Sequence, residues 1–223
     1  MNEVELVIFD LAGTTVEDRG EVPGAFASAL AEHGIEVTPE QLKGVRGASK
    51  RQAVLHFIPP GPDQSGRAVA VYASFREHLA RRYQTEGVHP VAGAASTFRS
   101  LRGRGVRVAL NTGFDRETTA LLLQALQWDG GVVDAVVCGD DVAQGRPAPY
   151  LIFRAMEAVG ASSVHKVVNV GDTTLDLRAG YNAGVRWNVG VLSGAHERAA
   201  LEREPHTHLL TSVAELADLW GAA

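Results

Sequence analysis

VELVIFDLAGTT, Val4 to Thr15, is the stretch on which the fold turns. Val4 to Phe9 is a short apolar run bounded by turn-forming residues, too brief for a helix, and it predicts a strand covered on both faces. It ends on a carboxylate, Asp10, and then on small residues suited to a tight turn. Val106 to Leu110, Ala135 to Cys138 and Lys166 to Val170 repeat the pattern, and Val185 to Val191 predicts a fifth strand. Helical patterns lie between them at Arg116 to Leu126, Tyr150 to Val159 and Leu175 to Asn182. Strands alternating with helices in this way predict an α/β fold with a doubly wound parallel sheet.

The spacing is uneven. From Phe9 to Val106 lie about ninety residues where one strand–helix unit needs roughly thirty. That interval holds two strongly helical stretches, Pro23 to His33 and Val69 to Tyr83, with a shorter segment from Ser49 to His56 and a loop of turn formers, IPPGPDQSG, between them. A small α-helical cap domain at residues 19–89, inserted into a core made of residues 1–18 and 90–223, is the expected organisation. The apolar stripe of the second helix could pair two copies into a homodimer or pack within its own cap.

Composition narrows the function. The chain has 223 residues with 21 Lys+Arg against 26 Asp+Glu, a net charge of −5, which argues against a nucleic-acid partner. Its single cysteine, Cys138, excludes an internal disulfide and a cysteine-rich zinc site, and a buried, inert thiol is expected there. No apolar run approaches a membrane span and no leader pattern opens the chain, so no membrane contact and a cytoplasmic location are expected. His206 and His208 lie in a polar stretch and are expected to face solvent.

In open α/β sheets ligands bind beyond the carboxyl ends of the strands. Those ends carry Asp10, Ala12, Gly13, Thr14 and Thr15; then Asn111, Thr112 and Gly113; then GDDVAQGRPAP with Arg146; then GDTTLD with Asp172, Thr173 and Asp176. Singly, Asp10, Thr112 and Asp172 would pass for turn or cap residues. Together they bring two or three carboxylates, a hydroxyl and a guanidinium to one place, a set suited to phosphoryl chemistry with Mg²⁺. Asp10 and Asp172 can hold the cation, since Mg²⁺ keeps several waters and needs only one or two carboxylates. Asp10 can double as a nucleophile forming an aspartyl-phosphate. Thr112 and Arg146 are placed to stabilise phosphoryl oxygens, and Asp176 to hold a metal-bound water or orient Asp172.

These strand ends resemble the four motifs of the haloacid dehalogenase superfamily: FDLAGT, NTG, GRPAP and VGDTTLD, with a cap inserted after the first. Two departures from the common pattern stand out. Ala12 occupies the place of the second aspartate, the acid and base of ordinary phosphatases, and Arg146 occupies the place of a lysine. Both features, and the run Asp10 to Val16, are similar to the phosphonatase (phosphonoacetaldehyde hydrolase) family. In RGASKRQAV, Lys50 follows Gly47 at the spacing of that family's cap lysine.

The resemblance implies a Mg²⁺-dependent hydrolase of phosphonoacetaldehyde or a close 2-oxoalkylphosphonate. Lys50 would form a Schiff base, Asp10 would attack phosphorus, Thr112 and Arg146 would hold the phosphoryl group, and Thr14, Asn111, Gly113, Arg46 and Gly47 would bind substrate. Asp10, the Ala12 carbonyl and Asp172 would hold the metal, with Asp176 and Thr173 behind them. An electron sink is needed because breaking a C–P bond expels a carbanion, and an iminium accepts that pair as an enamine. The lysine must be partly neutral, and burial beside cations such as Arg46 and Arg51 favours that. The family's histidine one turn after the lysine is replaced by Ala53, and His56 is off that face by helical spacing. A phosphatase acting on a small phosphate ester and a non-catalytic sensor of phosphorylated metabolites are the alternatives.

Overall fold

The computed structural model describes residues 4–220. Among these, six strands make one sheet: β1 (Leu6–Asp10), β2 (Arg107–Asn111), β3 (Ala135–Val137), β4 (Val167–Gly171), β5 (Trp187–Val191) and β6 (His208–Leu210). Their order is β3-β2-β1-β4-β5-β6, and every pairing is parallel. β1 is buried at all five residues, as its apolar run requires. Its side chains alternate between two cores: Val7 and Phe9 face one, Leu6 and Ile8 the other.

The strand order reverses between β1 and β4, the place where such sheets open a crevice. Register sets Asp10 level with Asn111 of β2 and Phe9 level with Val170 of β4. Asp10 and Asp172 therefore leave adjacent central strands at the same, carboxyl, end of the sheet.

Four helices fill most of the interval between β1 and β2: α1 (Glu21–Glu32), α2 (Pro39–Gly44), α3 (Lys50–Phe57) and α4 (Gln64–Glu86). They form a helical insertion whose apolar faces pack together, with Phe26 of α1 and Phe75 of α4 at a ring separation of 4.3 Å. The stripe on α4 is spent in this way: Val71, Tyr72, Phe75 and Leu79 are buried. Val69, at the start of the stripe, stays 71% exposed. The two connecting strands of chain are pinned to one another, Glu17 N–H donating to the His89 carbonyl and Val91 N–H to that of Thr15, each at 2.9 Å.

The core continues with α5 (Ala94–Gly103), α6 (Arg116–Ala125), α7 (Tyr150–Val159), α8 (Thr174–Ala183) and the four-residue α9 (Arg198–Leu201). The five expected strands and the expected helices are present, with ends shifted by at most five residues. Elements beyond those expected include the short α9 and three others. β6 is a sixth strand in the stretch taken as polar, and it leaves His208 half-buried rather than facing solvent, whereas His206 is exposed. α2 begins at a Thr38–Gln41 capping box, and α5 lies in the core just beyond the insertion.

Candidate active site

The ends of β1, β2 and β4, with the loop after β3, deliver side chains into one buried space under the insertion. Asp10 is 5% exposed, Thr112 2%, Arg146 4% and Asp172 0%. The loop between β3, which ends at Val137, and the amphipathic α7, which begins at Tyr150, turns Arg146 inward. The guanidinium meets Asp10 Oδ1 at 2.7 Å through Nη2 and Asp176 Oδ1 at 2.8 Å through Nε. It also donates to the Asn111 side chain and, at 3.3 Å, to the Gly47 carbonyl of the insertion.

Asp172 does not cap α8; Thr173 does, its hydroxyl accepting from Asp176 N–H in a capping box closed by the Asp176 carboxylate. Asp172 is thus free to project forward. Its Oδ1 accepts from Thr14 Oγ1 at 2.9 Å and its Oδ2 from Ala195 N–H at 2.6 Å. Burial, together with repulsion from Asp10 and Asp176, pushes the Asp172 carboxyl well above the ordinary carboxylate range. Burial pushes Asp10 up as well, with Asp176 adding to the shift and Arg146 opposing it.

Asp10, Asp172 and Asp176 each offer an oxygen within 4.8 Å of the others, all buried. Three converging carboxylates with one guanidinium among them leave a surplus of negative charge in a desolvated place. A divalent cation relieves it, and an oxygen-only donor set suits a hard one. The residues present therefore fit a divalent metal site.

Lys50 approaches from the insertion, as the first residue of α3. Its backbone N–H donates to the Gly113 carbonyl at 3.0 Å. Its Nζ lies 4.8 Å from the centre of the Phe114 ring, and the residue is 8% exposed. Burial pushes the amine down to about 8, with Asp10 opposing the shift and Arg146 and Arg46 adding to it. Arg51, expected to contribute, instead stacks over Tyr72 at 5.2 Å, because the next residue on a helix points about 100° away. Ala53 is buried and His56 exposed, so no histidine stands beside Lys50 on α3.

Close approach explains two glycines. A Cβ on Gly47, whose φ is +85°, would lie 2.3 Å from Thr173 Oγ1, and one on Gly113 would lie 2.4 Å from the Ala48 carbonyl oxygen. The turn before Lys50 is wedged between two core loops with no room for a side chain.

Ala12, Arg46, Gly47, Lys50, Thr112 and Gly113 line the enclosed space together with Asp10, Arg146, Asp172 and Thr173. Thr14, Asn111 and Asp176 stand behind it, holding Asp172 and Arg146 through the bonds above. Phe114, Asp18 and Ala195 also line it, and the sequence reading missed them. Ala195 follows β5, so the strand-end rule carried one strand further would have found it. Asp18 is the partner of Arg46, and the pair lines the space together with Val22, Pro23 and Leu42. Cys138 is buried, and burial pushes its thiol up to about 11, as expected of an inert residue. Among the described residues no helix is long and apolar enough to cross a membrane.

The chain belongs to the haloacid dehalogenase-like hydrolase family, whose model matches residues 7–189. Within that family it is similar to the phosphonoacetaldehyde hydrolase of Paraburkholderia xenovorans, at 33% identity over 86% of this chain and 76% of that protein. It is likewise similar to the phosphonoacetaldehyde hydrolase of Parabacteroides distasonis, at 31% identity over 92% and 82%. The fold matches a hydrolase from Pseudomonas syringae with a TM-score of 0.87 at 22% identity, covering 98% of this chain and 99% of that one. A phosphonoacetaldehyde hydrolase-like protein from Oleispira antarctica matches with a TM-score of 0.84, also at 22% identity, covering 97% and 91%.

Proposed function

We propose that this protein is a Mg²⁺-dependent hydrolase that cleaves the C–P bond of phosphonoacetaldehyde or a close 2-oxoalkylphosphonate. One observation carries the reading: a desolvated amine, Lys50, faces the same buried space as Asp10, while the neighbouring position that would hold an acid is Ala12. The relatives named as phosphonoacetaldehyde hydrolases support the substrate class.

In this reading residues 19–89 act as a cap that carries the amine, and residues 1–18 and 90–223 as a core that carries the nucleophile. The space is lined by buried groups of both bodies, Asp10 and Lys50 among them, so substrate enters when the cap swings away and reacts when it returns. The neutral Lys50 amine adds to the aldehyde carbon and, with uptake of one proton from solvent and loss of water, gives a protonated imine. Asp10 then attacks phosphorus, and the electron pair of the breaking C–P bond moves into the imine to form an enamine. Protonation at carbon and hydrolysis release the aldehyde and Lys50, while a second water cleaves the aspartyl-phosphate.

Arg146 and Thr112 hold the phosphoryl oxygens as charge shifts between them. Asp10, Asp172 and the Ala12 carbonyl would hold Mg²⁺, which offsets the repulsion between carboxylate and phosphonate. Asp176 and Thr173 position Arg146 and the Asp172 loop, and Arg46 contacts the part of the substrate nearest the cap.

The test is product stoichiometry. With phosphonoacetaldehyde and Mg²⁺ the protein should release equal amounts of acetaldehyde and phosphate, and Asp10→Asn should abolish both. Phosphate release from simple esters but none from the phosphonate would replace this reading with that of a phosphatase. Binding of either without turnover would make the protein a sensor.

A further inference from the structure

The proposed chemistry asks one substrate to touch two bodies, so something must fix their relative position. The loop after β2 is where they meet. Thr112 and Gly113 face the buried space, the Gly113 carbonyl receives the Lys50 N–H, and Phe114 lies under the Lys50 amine. The next residue, Asp115, is 6% exposed and outside the reacting space.

Asp115 spends one carboxylate oxygen on the core and one on the cap. Its Oδ1 accepts from Thr118 N–H at 2.8 Å and caps α6. Its Oδ2 accepts from Tyr72 Oη at 2.7 Å and meets Arg76 Nε at 3.2 Å, both on α4. Tyr72 and Arg76 are one helical turn apart and so present one face to Asp115. Arg76 also pairs with Glu117 on α6. The Tyr72 ring also carries the guanidinium of Arg51, the residue next to Lys50. Burial opposes the Asp115 carboxylate, but the hydrogen bonds from Tyr72 and Thr118 and the charge of Arg76 outweigh it and keep the group ionised.

We infer that Asp115 is a positioning residue: by gripping Tyr72 and Arg76 it holds the cap closed in the one orientation that sets Lys50 against the phosphoryl-binding loop. A simple core contact would not need its partners on the helix that backs α3, nor would it lie within one short loop of the residues that face the substrate. The kinetic consequence rests on the C–P cleavage reading; the structural one does not.

The test uses Tyr72→Phe and Tyr72→Phe/Arg76→Met in the full chain. Tyr72→Phe keeps the ring that packs near Phe75 and provides a folded variant if the double change proves unstable. Loss of these charge-assisted contacts should raise amide hydrogen exchange at Lys50 about tenfold in the double variant, with a smaller rise in Tyr72→Phe. Turnover of phosphonoacetaldehyde should fall by about the same factor, mostly in kcat. Phosphoryl transfer from acetyl phosphate, whose leaving group needs no amine, should stay within about twofold. Unchanged exchange at Lys50 in both variants, or equal loss in the two reactions, would overturn the inference. If the wild-type protein fails to cleave the phosphonate, the functional reading falls, and the exchange measurement still decides the role of Asp115.

Discussion

Lys50→Met should make the protein more stable while destroying its proposed chemistry. The substitution keeps an unbranched stem against Phe114 and removes the ammonium. Lys50 titrates at about 8 in the folded chain against 10.5 when solvated, so the native state binds fewer protons than the unfolded state between those values. Keeping the amine buried therefore costs stability in full below about pH 8, and the cost fades as pH rises through 8 towards 10.5. The difference, 10.5 − 8 = 2.5, corresponds to about 3 kcal/mol near pH 7 and about half that near pH 9.5. Urea denaturation of wild type and Lys50→Met at the two pH values measures both numbers. A variant less stable than wild type near pH 7, or a gain that does not shrink on the alkaline side, would refute the claim that burial depresses this amine.

Gly47→Ala should cost at least about tenfold in activity, because its Cβ would meet Thr173 Oγ1 at 2.3 Å in a backbone conformation with φ of +85°; steady-state kinetics with an intact circular dichroism spectrum checks it. Ala12→Asp restores an acid beside the proposed nucleophile and should raise hydrolysis of unactivated phosphate esters by about 10²-fold, measured as phosphate release. Phe75→Ala, deep in the insertion and fully buried, should destabilise the protein by about 3–5 kcal/mol in urea titration.

Asp10, Thr112, Arg146 and Asp172 were legible because a parallel sheet aims its strand ends at one place, and apolar runs mark where strands end. The insertion was legible from spacing alone. Arg51 shows the limit of sequence neighbourhood: the cations that lower Lys50 are Arg146, from a distant loop, and Arg46, one turn of chain earlier. Asp115 caps α6, one of its two roles. Its second role depends on where α4 packs, and no local pattern encodes that. β6 is three residues long between polar neighbours, too short for periodicity to register. The capping box at Thr38 was present in the sequence, but α2 buries only Leu42 and has no apolar face to announce it.

The central claim is a covalent bond between Lys50 and an aldehyde substrate. Borohydride reduction with phosphonoacetaldehyde and Mg²⁺, followed by peptide mass spectrometry, measures it directly; the chain has only three lysines, Lys43, Lys50 and Lys166, so assignment is clean. The account predicts a reduced two-carbon adduct on Lys50 and not on the other two, absent from Lys50→Ala. An unmodified Lys50 in protein that still releases phosphate from esters would contradict it.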